Sequence, residues 1–195
     1  MKVPSPALRR RSVLTAMALG TASAAAGCSH LPGTGPAPSP SPFPSFPAAS
    51  LNAFQKRVLA VLKTEYDAQP SGTKYSQGVQ EAWCADFVSW VLKQAGRPLQ
   101  NPNSGGWRIP GTMTLLDTLR TAGVWHPIAN DFSPRPADIV IYDRSDPFGQ
   151  HTNFVLDLTD GRLTTIGGNE GARNLTISPH RLDAKLGVLG YGRLP

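Results

Sequence analysis

The sequence predicts an α+β domain, with N-terminal helices packed on one face of an antiparallel sheet of about five strands. Three observations point there. Between residues 51 and 122 apolar residues recur at three- and four-residue steps, the period of amphipathic helices. From residue 138 onward the apolar residues fall instead in short runs bounded by Pro, Gly, Asn and Asp, the pattern of strands. Between two of those runs stands Asp160-Gly161, a dipeptide suited to a tight hairpin turn. A chain of 195 residues with 40% hydrophobic content holds one ordinary domain plus appendages.

The appendages come first. Residues 1–28 read as a targeting segment: a charged start, an apolar run of small residues from Val13 to Ala26, then Ala25-Ala26-Gly27-Cys28. Those last four resemble a bacterial lipobox, in which Cys28 is acylated and becomes the mature N-terminus. Ala25 stands there where leucine is usual. Arg10-Arg11-Ser12-Val13-Leu14 also resembles a twin-arginine export signal, with Val13 for the usual phenylalanine. The alternative is an ordinary secretory signal cut near Ala24 to Ala26. Either route takes the protein out of the cytoplasm, and the first holds it by lipid to the outer face of the membrane. Residues 29–50 contain seven prolines among Ser, Ala and Gly and read as a disordered tether. Extended at about 3.1 Å per residue, it would reach on the order of 60 Å.

Residues 51–195 form the expected domain. Ser50 is a candidate N-cap for a helix carrying Phe54, Val58, Val61, Leu62 and Tyr66 on one face, ended by Pro70-Ser71-Gly72. The loop from Thr73 to Gln80 follows, with Tyr75, Gln77 and Gln80 as candidates to line a site. The stretch Glu81 to Gly96 reads as a second helix: Phe87, Val88, Val91, Leu92 and Ala95 share a face, and Gly96 suits a left-handed cap. Cys84 falls in its first turn. Unpaired N–H groups and the positive end of the helix dipole there favour an anion, which raises the thiolate fraction of a cysteine. Cys84 has no evident disulfide partner, since the chain's other cysteine is Cys28. Arg97 to Pro110 reads as a surface loop with Trp107 exposed or half-buried. Thr112 to Ala122 reads as a third helix closed by Gly123, with Met113, Leu116 and Leu119 or Leu115 facing inward.

The strands are expected at Asp138 to Tyr142, Thr152 to Thr159, Arg162 to Ile166, Asn174 to Ser178 and Val188 to Arg193. The hairpin leaves two registers open. A three-residue loop pairs Leu158 with Arg162 and sets His151 opposite Asn169; a two-residue turn at Asp160-Gly161 sets His151 opposite Glu170. A bulge at Gly167-Gly168 would shift either by one. A thiolate–imidazolium pair needs a third group to orient the ring, and an asparagine or a carboxylate can serve. The remaining histidines, His30 in the tether, His126 after Trp125 in a turn and His180 after Pro179 in a loop, read as solvated.

The run Trp83-Cys84-Ala85, Phe87-Val88-Ser89-Trp90, together with Gly149-Gln150-His151 and Ile166-Gly167-Gly168-Asn169, resembles the CHAP family of cysteine- and histidine-dependent amidohydrolases and peptidases. That family is related to the papain-like cell-wall peptidases, and the likeness spans roughly residues 70–195. It implies a papain-like fold and an amide-cleaving cysteine enzyme acting on peptidoglycan stem or cross-bridge peptides, as amidase or endopeptidase. It also implies Cys84 as nucleophile, His151 as base and later acid, and Asn169 as orienter, with Glu170 in reserve. Gln80 would help the Cys84 N–H hold the oxyanion. The family segment often reads I-E-G-N, so Gly167 stands where a glutamate is usual. Ala137 likewise stands where the family has the glycine of a P-x-P-G-D entry. The missing glutamate is the best support for a competing reading, a non-enzymatic wall- or partner-binding lipoprotein that keeps the fold.

Composition trims other classes. The formal charge of +6 includes Lys2, Arg9, Arg10 and Arg11 of the leader, and the rest carries 15 basic against 13 acidic residues. With no basic stripe interleaved with aromatics, nucleic acid is not an expected partner. No compact Cys/His cluster at ligand spacing appears, so neither a metal nor another cofactor is expected, and a monomer is.

Overall fold

The computed structural model describes residues 41–128, 132–143, 149–170, 174–181 and 187–195. Cys28, the leader and most of the tether lie outside them. The first long helix, α1, is Ala53–Ala68. Its cap is Asn52 rather than Ser50: the Asn52 side chain accepts from Gln55 N and the Gln55 amide accepts from Asn52 N, both at 2.9 Å, closing a reciprocal capping box. Of the predicted face Phe54, Val58, Leu62 and Tyr66 are buried and Val61 is half-buried, while Leu59, not expected there, is buried with them. The helix ends at Gln69, left-handed at φ 48°.

The boundary expected at residue 50 moves back toward residue 41. Phe43 and Phe46 pack against the core, Phe43 lies 6.1 Å from the Tyr66 ring, and Tyr66 donates a 2.6 Å hydrogen bond to Ser41 O. Two phenylalanines among the prolines supply apolar area that a purely solvated tether would lack.

Helix α2, Cys84–Gln94, carries Phe87, Val88, Val91 and Leu92 fully buried, and Gly96 beyond it has the predicted left-handed conformation, φ 81°. Glu81, Ala82 and Trp83 precede the helix, so Cys84 is its first residue. Helix α3, Thr112–Thr121, buries Leu115, Leu116 and Leu119, whereas Met113, expected inside, is exposed.

The sheet has six strands, β1 Trp125–Pro127, β2 Ile139–Tyr142, β3 His151–Thr159, β4 Arg162–Gly168, β5 Leu175–Arg181 and β6 Val188–Gly192, ordered β1-β6-β2-β3-β4-β5 and antiparallel throughout. The strand beyond the expected five is β1, which contains His126; that ring stacks on Phe132 at 4.1 Å instead of sitting in a turn. His180 likewise falls in β5 rather than a loop, and Pro179 is tolerated because β5 is an edge strand. On one side of the sheet Ile139, Ile141, Phe154, Leu156 and Ile166 join the helices in one core. On the other, Val140, Tyr142, Val155, Leu163, Val188 and Tyr191 form a smaller one.

Ala137, just before β2, has φ 73°, which is why glycine suits this position. The adjoining Asp138 accepts from Arg135 N at 2.9 Å and from the Arg193 guanidinium at 2.6 Å, pinning the turn to the C-terminal segment.

Candidate active site

The loop that leads into Cys84 is fastened to α1. Glu65 on α1 is buried and accepts from Lys74 Nζ at 2.6 Å and Tyr75 Oη at 2.8 Å. Tyr75, a candidate to line the site, is therefore core: fully buried, stacked on Trp83 at 5.3 Å, its hydroxyl pKa pushed up by burial and then by Glu65. Trp83 in turn lies against two glycines. A Cβ on either Gly72 or Gly168 would collide with its indole, so the residue before Cys84 stands directly on the backbone of β4. Phe87, one turn further along α2, meets Phe154 of β3 edge-on at 6.4 Å. These contacts bring the start of α2 to the start of β3.

There Cys84 and His151 are hydrogen-bonded to each other, and both are buried, at 5% and 3% exposure. Burial pushes the Cys84 thiol up. The hydrogen bond and charge of His151, with smaller help from Thr112 and the Ala85 N–H, more than offset it, so the net direction is down. Burial pushes His151 the other way from its partners, yet Cys84 and Glu170 prevail and raise it above an ordinary imidazole. A lowered thiol hydrogen-bonded to a raised imidazole is the signature of a thiolate–imidazolium pair.

The carboxylate hydrogen-bonded to His151 is that of Glu170. Its Oε1 lies 2.7 Å from His151 Nε2, leaving Nδ1 for the sulfur, and its Oε2 accepts from Ser178 Oγ at 3.0 Å. The expectation placed Asn169 here, and the structure shows why it is elsewhere. The hairpin turn is the two-residue one, with Asp160 and Gly161 at φ 51° and 69° and Thr159 opposite Arg162. A bulge at Leu156, not at Gly167-Gly168, then shifts the register, so that Phe154 faces Ile166. Continued, that register would set His151 against Asn169. But Asn169 leaves the strand in a left-handed conformation, φ 65°, and is exposed; the reversal turns the next residue inward, where Glu170 is 4% exposed.

Gly167 completes the account. A Cβ there would collide with Glu170 Oε1 and with Asn153 Oδ1. The position where the family often has a glutamate is thus vacated, and the carboxylate of Glu170 fills the space beside it. Tyr142, paired with His151 across β2 and β3, stacks on the imidazole at 6.2 Å. Gln80 is exposed just upstream of Cys84, and Gln77 is exposed with φ 57°.

Two features had not been expected from the sequence. Thr112 Oγ1 lies 3.7 Å from Cys84 Sγ. Arg108 in the loop before α3 bonds Asp86 Oδ1 at 2.8 Å through Nε and reaches Glu81 with its Nη2. Asp86 is fully buried, its other oxygen has no hydrogen-bond partner, and burial pushes its carboxyl up to about 6. Among the described residues no group of His, Cys, Asp and Glu is arranged to hold a metal ion.

No curated protein and no solved structure matches the chain. Residues 74–169 match the family model of the CHAP domain, a span that takes in Cys84, His151 and Gly167 and stops one residue short of Glu170. With a cysteine at a helix start, a histidine at the head of a strand and an α+β fold to join them, residues 74–169 form a domain of the CHAP type, the type found among papain-like cell-wall peptidases.

Proposed function

We propose that this protein is an extracytoplasmic cysteine hydrolase that cleaves an amide bond of peptidoglycan through Cys84, His151 and Glu170. The match to the CHAP domain supports amidase or peptidase activity on peptidoglycan. The observation that carries the residue assignment is the buried, hydrogen-bonded pair whose thiol is lowered and whose imidazole is raised. The Cys84 thiolate attacks the carbonyl carbon, and the Cys84 backbone N–H, with Gln80 as second donor, faces the developing oxyanion. His151 gives its proton to the leaving amine, and a thioester to Cys84 remains. His151 then takes a proton from water as its oxygen attacks; the acid product leaves and Cys84 returns to the thiolate with His151 protonated. Glu170 keeps Nδ1 aimed at the sulfur and stabilises the imidazolium throughout.

The non-enzymatic reading rested on the glutamate missing at Gly167, and a carboxylate on His151 from Glu170 removes that support. The lipobox-like Cys28 and the Pro-rich segment favour a membrane-anchored enzyme whose substrate is the stem or cross-bridge peptide of the wall above it. Purified wall embedded in a gel tests the activity: the protein should clear it, and Cys84→Ser should not. Clearing by Cys84→Ser would refute the mechanism. Mass analysis of the released fragments names the bond: a free sugar lactate marks an amidase, a cut within the peptide an endopeptidase, and a ligated product acyl transfer.

A further inference from the structure

We propose that Thr112 is a catalytic hydroxyl that donates a hydrogen bond to the Cys84 thiolate. This rests on the thiolate–imidazolium reading above and adds a residue to it. Thr112 opens α3, is 6% exposed, and has its Oγ1 3.7 Å from Sγ; among the described residues this is the one hydrogen bond its hydroxyl makes. Between a thiol and a hydroxyl either partner can donate. A thiolate has no proton, so in the reactive form the bond exists with Thr112 donating. Donation to a charged acceptor is stronger than to a neutral one, and the contact therefore favours the thiolate.

The segment that carries Thr112 is bolted to the nucleophile helix at two places. Arg108 Nε holds Asp86 Oδ1 at 2.8 Å, and Ile109 N donates to Ser89 Oγ at 3.2 Å, one turn further along α2. Asn101 Nδ2 braces the same segment on Arg108 O at 2.6 Å. Asp86 and Ser89 thus have a use beyond packing: they fix where α3 begins relative to the sulfur. During the reaction the hydroxyl keeps its own proton. It stabilises sulfur as the attacking thiolate, loses that partner's charge when the thioester forms, and regains it when the second tetrahedral intermediate expels the thiolate.

The test is the pH dependence of Cys84 alkylation by iodoacetamide in the full chain carrying Cys28→Ser, where Cys84 is the one remaining cysteine. Thr112→Val, which keeps the shape, should move the midpoint upward by about one pH unit, the size expected for a hydrogen bond to a charged group. Thr112→Ser should restore the parent midpoint, and the acid limb of kcat/KM on wall should move with it. A valine variant with the parent midpoint overturns the proposal, and so does a serine variant that behaves like valine, which would make the methyl group's packing the cause. Because alkylation needs no substrate, these failures leave the hydrolase reading intact. A parent midpoint at the ordinary thiol value would instead strike the thiolate reading itself.

Discussion

The start of α2 and the far end of the β3–β4 hairpin carry Cys84 and His151, and they place them by different means. At α2 the placement is local. The helix period, the glycine stop and the position of Cys84 in the first turn all lie within sixteen residues of sequence, and the helix forms within that stretch, starting three residues later than Glu81. At the hairpin the placement is a sum of separate steps: a two-residue turn, a bulge at Leu156, a left-handed Asn169 and a space left open by Gly167. Each step is individually readable, but an error of one residue in any of them exchanges Asn169 for Glu170. Helix position tolerates such errors, whereas strand register does not.

The sharpest way to test that contrast is to compare the two neighbours directly. Glu170→Ala should lower kcat/KM on wall by roughly a hundredfold or more, whereas Asn169→Ala should cost less than about threefold, because only the first removes the ring's orienting partner. Reversed magnitudes would restore the orienter first expected. The pH profile sharpens it further. Activity should rise as pH passes the lowered Cys84 pKa and fall as pH passes the raised His151 pKa, since the leaving amine needs the imidazolium proton. Glu170→Gln removes a carboxylate that raises His151, so the alkaline limb should move to lower pH.

Gly167→Ala probes the vacated space. Its methyl would displace Glu170 and Asn153, and a shift of about 1 Å in the ring can cost on the order of a hundredfold in rate. The thiol should also become less reactive at neutral pH as His151 is displaced. Full activity in this variant would show that Glu170 reaches His151 by another path.

On the α2 side the effects should appear in stability. Arg108→Met leaves the fully buried Asp86 carboxylate without its cation and should destabilise the domain by about 3 kcal/mol in urea unfolding at neutral pH. The sign of its pH dependence follows from the upward shift of Asp86, which loss of the cation raises further: the folded variant binds the proton more readily than the parent, so the loss should shrink as pH falls toward about 6. Asp86→Asn should suppress most of it. Smallest is Ala137→Gly, which relieves a left-handed alanine at φ 73° and should gain up to about 1 kcal/mol with no change in activity.

Much of this molecule was legible in its sequence. The three helices, the strands from β2 onward and the tight turn at Asp160-Gly161 follow from periods and punctuation residues, which are properties of neighbours along the chain, whereas the pairing of Cys84 with His151 was implied only by the family resemblance. The short β1 escaped because a three-residue strand carries too little pattern to show a period. Phe43 and Phe46 escaped because proline-rich composition hides two apolar contacts with α1. What only the tertiary structure decided is which group faces which across it: Glu170 on His151, Thr112 on Cys84, Arg108 on Asp86. Such pairs join residues 19 to 28 apart, and the geometry at His151 depends on a bulge, a left-handed residue and the room that a glycine leaves. Those are set by packing of the whole domain, and short-range pattern does not encode them.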